Sequence, residues 1–543
     1  MGDGNLARDP GLEARIALHD RQHFEIELNY EVSPHLAHPD GRVRTRVDAY
    51  FFLPTQMGIT TIDYTRDEFF RDVFSYLRFK TPTISIRELA DPIHTDSPLN
   101  RLAFRLVRMA ERPERDSHHE GLAIQEAKLV GCIVIAHWRE RRAALRQDRA
   151  VRRPFDAGAW RAEIEEDLRL LDRIRTLTRI HVPATMGDPK GLPRVLRRLD
   201  EILTYRFDEH LAKVHALMPP GDLDGREALE AYVLRVAEAE HVHRVASGYL
   251  VLDRGHAPSL ERYTYRVSGL KKYLAQVLWL DVETIREADR WRGWFAAIGA
   301  ALAAFWSTLG DRNVNVHLHG VSTAVLIGII VAVYILKDRI KEMVRERLSS
   351  VLGAFLPARK LRIRDPLTGL RIGTCRQTFE FLDKSRLPED IRRVRDFTHV
   401  QDLDEEKREA VLGYRHRISL DPRAIQEAPH PRRHVKHILR YSVAALQHRL
   451  SDPSVEVPCF DAEQGGFETL QGPKVYHLNV VLRVSSGRYG VPVYHRLRAI
   501  LSKDGLVRVE AVVLNQPLQQ VGGLTGPSQP VMEALETEDL APG

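Results

Sequence analysis

The residue types best suited to chemistry form two Glu-x-x-His spacings on one predicted helix, Glu238 with His241 and Glu240 with His243. Di-iron helical bundles use this half-motif, but a complete site needs a second such helix and two further glutamates. The sequence offers no second helix of this kind. We therefore interpret the four side chains as a polar helix face and predict no metal ion.

A group of cations surrounds the histidines that open a predicted helix over His434 to Leu450. His434 and His437 share one face of that helix, but the positive charge around them repels a metal ion and attracts phosphate or an acidic lipid headgroup. The predicted anion contacts here are Arg432, Arg433 and Lys436. A solvated basic helix is the default interpretation of this segment, and the anion contact is the alternative to it.

A longer basic run covers residues 337–364, where nine Lys or Arg accompany three acids. Each basic group close to an anionic leaflet contributes about 1 kcal/mol of binding free energy. The distal part of this run is predicted to contact anionic lipid or phosphate. Its basic residues are Arg359, Lys360, Arg362 and Arg364.

The sequence contains no phosphate-binding loop, no nucleophile elbow and no zinc-protease motif. The three cysteines, at positions 132, 375 and 459, form no CxxC pair and indicate a reducing compartment. We therefore predict no catalytic residue, no cofactor and no metal ligand. This pattern favours a non-enzymatic role.

Two apolar stretches, 294–309 and 318–336, contain no Asp, Glu, Lys or Arg. A helix needs about 20 residues to cross a hydrocarbon layer of about 30 Å, and both stretches approach that length once Trp291 is included in the first. We predict two transmembrane helices that form a hairpin over 291–336. The alternative is a helical hairpin buried in a large soluble core.

Basic residues flank both outer ends of this hairpin, whereas its connecting loop holds only Arg312, next to Asp311. Because Lys and Arg are retained on the cytoplasmic side, both flanks and both termini are predicted to be cytoplasmic, in a bacterial inner membrane. The first 20 residues contain no apolar run that would act as a secretory signal. Small residues four apart, beginning at Ala296 and Gly299, suit close helix packing within the hairpin or in a homo-oligomer.

Hydrophobic periodicity predicts a membrane-anchored α+β fold. Alternating apolar residues indicate strands over Phe24 to Val32 and Val43 to Phe52, which we expect to pair so that Arg44 and Arg46 meet the glutamates of the first strand. Apolar stripes every three or four residues indicate a helical bundle downstream. In the C-terminal part, strands are predicted over 378–382, 411–420, 475–484, 493–501 and 506–514, with a turn at 502–505.

The predicted organisation has six parts. They are an N-terminal β-rich segment (1–65), a helical cytosolic domain (66–289), the transmembrane hairpin (291–336), a basic stalk helix (337–360), a C-terminal α+β cytosolic domain (361–519) and a disordered tail (520–543).

Composition narrows the function classes. The 543 residues are 43% apolar and 28% charged, which excludes wholesale disorder. The net charge of +6 is modest, and the 80 basic residues include only 14 lysines, an arginine bias that a GC-rich genome explains as readily as a nucleic-acid partner does. No specific nucleic acid is therefore predicted.

The leading hypothesis is a bacterial inner-membrane protein whose hairpin tethers two cytosolic domains with a binding, scaffolding or signal-coupling role. Its expected partners are the lipid bilayer and an unidentified cytosolic protein. One alternative is a membrane-attached enzyme that acts on a phosphorylated or lipid substrate near the loop 485–490. The other is an oligomeric pore-type effector.

Overall fold

The structure is a computed structural model. It describes residues 12–60, 62–111, 117–151, 153–181, 190–221, 223–252, 257–285, 359–366, 369–396, 409–426, 433–451, 454–462, 465–488 and 490–512, with isolated positions between 294 and 343.

Fourteen strands in the described residues form three antiparallel sheets. They are β1 Leu12–Leu18, β2 His23–Glu31, β3 Val43–Pro54, β4 Val73–Phe79, β5 Asp281–Ile285, β6 Arg359–Arg364, β7 Arg371–Leu382, β8 Glu409–Leu420, β9 His434–Ser442, β10 Ser454–Asp461, β11 Gly466–Pro473, β12 Tyr476–Ser486, β13 Val493–Ser502 and β14 Gly505–Val512. The small sheet has the order β1-β2-β9-β4, the large sheet the order β14-β13-β12-β3-β8-β7-β6-β5, and β10 pairs with β11 alone.

The small and large sheets pack face to face around an apolar core. Phe24, Ile26 and Leu28 of β2 enter this core from one side, and Val47 and Phe51 of β3 enter it from the other. Alternate residues of a strand point to opposite faces, so each strand contributes every second side chain. Both segments are strands, as predicted, but they are not half-buried: Glu25 and Glu27 of β2 are buried, and β3 is buried on both faces from Val47 to Leu53.

The predicted pairing of these two strands is wrong. β2 lies between β1 and β9, whereas β3 lies between β8 and β12 in the other sheet. The two apolar faces meet across the core rather than side by side, and the glutamates of β2 find cations elsewhere. Glu25 pairs with Arg440, and Glu27 pairs with Lys436.

The α-helices of the described residues lie between strands of the sandwich along the chain, most of them between β4 and β5. They are α1 Arg66–Asp72, α2 Ile86–Ala90, α3 Pro98–Glu111, α4 Ser117–Ala150, α5 Ala157–His181, α6 Leu192–Leu217, α7 Arg226–Ala246 and α8 Ala257–Ala275, with short helices at Glu389–Asp396, Pro422–Gln426 and Ala444–Gln447. Residues of α3 to α8 are helical, as predicted, while β4 and β5 lie inside the region 66–289 that was expected to be helical.

The bundle core is continuous with one end of the sandwich. Val130 and Ile133 of α4 and Leu199 of α6 share a buried cluster with Val43 of β3 and Val435 of β9. Each of these two sheets contains strands from before residue 80 and strands from after residue 358. The sheets therefore join the N-terminal and C-terminal segments into one packed body.

The helix predicted over His434 to Leu450 is also wrong. Residues 434–442 form β9, a central strand between β2 and β4, and only Ala444–Gln447 are helical. Val435, His437, Leu439 and Tyr441 are buried on one face, which is a period of two. Pairing on both edges overrides the helical preference of Lys436 and Arg440 in this strand.

Most of the predicted hairpin (291–336) and stalk (337–360) lies outside the described residues. The stalk cannot extend to Lys360 as a helix, because Arg359 and Lys360 begin β6. Within the described residues, one helix is long and apolar enough to span a membrane, His118–Ala150 of α4, and 56% of its most apolar window is buried inside the protein. Leu129, Val130 and Ile133 make it the core helix of the bundle.

Candidate ligand cavity

A cavity of about 1160 Å³ opens where the edges of the two sheets meet the bundle. β4 is the last strand of the small sheet, and β5 and β6 are the last two strands of the large sheet. Helices α4 and α8 cover the gap between these edges. Four segments that are distant in sequence therefore build one concave site.

Aromatic side chains form much of the apolar wall. Phe74 and Tyr76 of β4 stack with ring centroids 6.4 Å apart, and Trp279 meets Tyr76 edge to face at 5.8 Å. Phe74 is 41% exposed, because it faces the opening rather than a packed core. Phe70 and Leu361 extend the apolar surface. Such a wall suits an acyl chain or another apolar group.

Three cations lie among these apolar residues, Lys128 of α4, Lys272 of α8 and Arg359 of β6. The ammonium Nζ of Lys128 donates to Oε1 of Gln276 at 3.0 Å and lies 4.0 Å from the centroid of the Tyr273 ring. Burial lowers the pKa of Lys128. The Arg359 guanidinium lies 4.4 Å from the centroid of Phe70. The cavity therefore combines apolar walls with positive charge.

The strand period separates the four basic residues predicted as anion contacts near β6. Arg359 lines the cavity together with Leu361. Lys360, Arg362 and Arg364 alternate with them and so project from the other face of β6.

Arg362 and Arg364 approach Glu283 of β5, with nitrogen–oxygen distances of 3.6 and 3.1 Å. The structure therefore brings only Arg359 of this group to the cavity.

The second predicted group of anion contacts does not form a site with Arg359. Arg432 lies outside the described residues, and Arg433 is exposed just before β9. The Lys436 ammonium lies 2.6 Å from the carboxylate of Glu27, so its charge is compensated inside the small sheet.

A chain of buried polar side chains runs from the cavity wall into the sandwich. Ser75 lines the cavity and its Oγ lies 3.0 Å from Nε2 of His437. The His437 ring meets His416 edge to face at 4.5 Å, and Nε2 of His416 lies 2.6 Å from Sγ of Cys375.

Burial governs the protonation of this chain. Burial lowers the pKa of His437 to about 3 and raises the pKa of the Cys375 thiol. His437 is then too weak a base to activate Ser75, because efficient proton transfer needs a pKa near the working pH. The wall of the cavity therefore favours binding over nucleophilic catalysis.

The residues of the two Glu-x-x-His spacings have different surroundings. Glu240 and His243 belong to an ion-pair network, and Glu238 and His241 lie on an exposed helix face. Glu240 accepts two hydrogen bonds from Arg175, at 2.8 and 2.7 Å, and His243 lies 3.0 Å from the Asp200 carboxylate. Glu238 and His241 are exposed. No cluster of three or more potential metal ligands occurs among the residues that the structure describes.

Comparisons with protein-family models, with curated proteins and with solved structures find no match for this chain.

Proposed function

We propose that this chain is anchored in a membrane by a helical hairpin and binds an anionic amphiphile in the cavity. Such a ligand carries an apolar chain and an acidic headgroup. The observation that carries the proposal is the position of the cavity: it is bounded by β5 and β6, the two strands between which the apolar segment 291–336 is inserted. The ligand site is thus next to the predicted bilayer surface.

Exposed aromatic residues support the membrane assignment. Trp294, Phe305 and Tyr334 are described as helical, and they are 68, 62 and 60% exposed. A hairpin buried in a soluble core would cover these side chains, so the exposure disfavours that alternative. Amphipathic rings near the ends of a span are typical of the headgroup zone.

The pairing of β5 with β6 supports an even number of membrane crossings. Ile285 lies opposite Lys360 in the antiparallel register, so the chain leaves the sheet and returns to it at the same place. Because both ends of the segment return to the same sheet, the segment crosses a bilayer an even number of times. The apolar residues 291–336 are long enough for two crossings and no more. Basic residues on both sides of the hairpin then favour the cytoplasmic face for the sheet.

The size and chemistry of the cavity support an amphiphile rather than a small polar solute. Small-molecule sites have volumes of roughly 300–1,000 Å³, and this cavity of about 1160 Å³ exceeds that range. Lys128, Lys272 and Arg359 offer an acidic headgroup its counter-charge, and Phe74, Trp279 and Leu361 are among the apolar lining.

Cysteine labelling tests the membrane assignment. In a Cys459→Ser background, Asn313→Cys should react with an impermeant maleimide added outside spheroplasts, whereas a cysteine placed at exposed Arg376 should react only after permeabilisation. The full chain should also resist extraction by salt and alkali. Labelling at position 313 only from inside, or release by salt alone, would overturn the hairpin.

Ligand binding is tested on the full chain purified in detergent, by native mass spectrometry with short-chain phosphatidic acid and phosphatidylcholine as probes. Lys128→Gln with Arg359→Gln should weaken phosphatidic acid binding roughly 10- to 30-fold, since each charge contributes about 1 kcal/mol. Trp279→Ala should weaken both lipids. The matched control is Arg362→Gln with Arg364→Gln, which removes the same charge from the opposite face of β6 and should leave binding unchanged. Equal losses in both double variants would contradict a headgroup site in the cavity.

A further inference from the structure

The helical bundle contains a second, smaller pocket of about 350 Å³ whose lining is mainly arginine. It lies between the first turns of α6, the middle of α8 and the residues that follow α7. The lining residues are Arg194, Arg197, Arg198, Glu201, Gly248, Tyr249 and Arg266. None of them lines the large cavity.

Helix geometry brings three of these cations together. Arg194, Arg197 and Arg198 are spaced by three and four residues on α6, so they project from the same face of the helix. Like charges at this spacing destabilise a helix slightly unless an opposite charge is present. The pocket therefore concentrates positive charge at a small cost to the fold.

The carboxylate in the lining is already occupied. Arg266 of α8 donates two hydrogen bonds to Glu201, at 2.8 and 2.6 Å, and Glu201 is only 4% exposed. This pair commits the Glu201 carboxylate to Arg266. Tyr249 donates its hydroxyl hydrogen to Oδ2 of Asp200 at 2.8 Å, which orients the phenol as part of the wall.

Gly248 keeps one side of the pocket open. Its φ of +67° lies in the left-handed region, and a β-carbon there would meet nothing within 4 Å. The backbone after α7 thus turns sharply at the pocket without a side chain that would fill it.

We infer that this pocket binds a phosphoryl group of a small phosphorylated compound. Guanidinium groups match phosphate oxygens in paired, charge-assisted hydrogen bonds, and several of them around one concave site suit a doubly charged anion. A pocket of 350 Å³ accommodates a phosphate with a small organic substituent. This site is separate from the cavity and does not depend on the function proposed for it.

The choice of variants follows from the contacts. Arg266 holds the buried Glu201, so its removal would leave that carboxylate without its cation. The Arg198 guanidinium lies 4.6 Å from the Tyr273 ring that also contacts Lys128 of the large cavity. Arg194 and Arg197 are therefore the residues to change.

The test is calorimetric titration of the full chain in neutral detergent at low salt, with pyrophosphate as the probe. Arg194→Gln with Arg197→Gln should weaken binding about tenfold or more, because each lost charge-assisted hydrogen bond has a large effect on affinity. The control is Arg235→Gln, an exposed arginine on α7 that does not line the pocket and should bind as the parent does. Unchanged thermal unfolding of the double variant excludes misfolding as the cause.

Short-chain phosphatidic acid in the same titration distinguishes the source of the phosphoryl group. If pyrophosphate binds and phosphatidic acid does not displace it, the result supports a soluble compound. If phosphatidic acid displaces pyrophosphate, the result supports any phosphoryl group of sufficient charge. Absence of pyrophosphate binding at low salt, or an equal loss in Arg235→Gln, would overturn the inference.

Discussion

The helical bundle contains two groups of arginine-centred charges that differ in how they are compensated. Around Arg175, which is 14% exposed, the guanidinium contacts Asp200 at 3.1 Å and Glu240 at 2.7 Å, and Thr204 donates a further hydrogen bond to Glu240. Around Arg197, three arginines and an Arg266–Glu201 pair line an open pocket. Arginine is thus buried between carboxylates at position 175, whereas several arginines line an open pocket around position 197.

The difference separates charges that hold the fold from charges that are available to a ligand. Burial alone would raise the pKa of Asp200, but the hydrogen bond from His243 and the charge of Arg175 lower it, so the network stays ionised. A buried ion network of this kind is costly to break, because removing one member leaves another charge without its partner. Exposed or open charges can be changed with little effect on stability.

The largest effect is expected at the compensated network. Glu240→Ala should lower the free energy of unfolding by roughly 3–5 kcal/mol, because it leaves Arg175 buried beside Asp200 alone. Denaturant unfolding of the full chain in detergent, followed by helical circular dichroism, measures this loss. Glu238→Ala on the same helix is the matched control and should change stability by less than about 0.5 kcal/mol, since that side chain is exposed. Equal losses would show that the network is not the cause.

The buried carboxyl of Asp167, next to the uncharged His210, should make the free energy of unfolding depend on pH. Burial raises the pKa of Asp167 to about 7, and burial lowers the pKa of its neighbour His210, 3.8 Å away, to about 3. Between pH 4 and 7 the folded protein keeps a proton on Asp167 that the unfolded chain releases, so the contribution of Asp167 to stability falls as the pH rises. His210 contributes in the opposite direction below about pH 6.5, because the unfolded chain binds a proton there that the folded protein excludes.

The loss for Asp167 is at most roughly 4 kcal/mol, at about 1.4 kcal/mol per pKa unit. Asp167→Asn should remove this contribution and leave that of His210, so the stability of the variant relative to the parent should rise between pH 4 and 7.5. Thermal unfolding across the interval measures the difference. An unchanged slope in Asp167→Asn would assign the dependence to other groups.

The smallest effect is expected at the open pocket. Arg197→Gln should change the free energy of unfolding by no more than about 0.5 kcal/mol in either direction, because the side chain holds no buried carboxylate among the described residues. The same substitution should reduce the salt dependence of pyrophosphate binding, since fewer charges are screened. A loss of several kcal/mol would place Arg197 with Arg175 as a residue that holds the fold.

Local composition predicted those strands that are runs of apolar and β-branched residues bounded by turns. The strands near 411–420, 475–484 and 493–501 and the turn at Lys503 and Asp504 follow from such patterns. Strand partners could not be predicted, because β2 pairs with β9, about 400 residues further along the chain. His434 to Ser442 was assigned to a helix because a central strand with both edges paired and both faces covered loses the clean alternation of an exposed one.

The candidate cavity was predictable only at Arg359. Clustering of basic residues after the apolar hairpin singled out that arginine, but it equally singled out Arg362 and Arg364, which project to the other face. Lys128, Phe74 and Trp279 come from three remote segments, and nothing in their local sequence shows that they converge. Long-range strand pairing, which decides that convergence, leaves no local pattern in the sequence.

The short pairing of β5 with β6 has a mechanical consequence. The register runs from Asp281 opposite Arg364 to Ile285 opposite Lys360, and the ends that continue toward the hairpin lie side by side. A force that separates those two ends loads the hydrogen bonds between β5 and β6 one after another. A force along β6 would instead load all the hydrogen bonds between β6 and β7 at the same time. Tension on the proposed hairpin would thus peel β5 from the sheet first and widen the cavity, while the central strands of the sandwich carry little of the load.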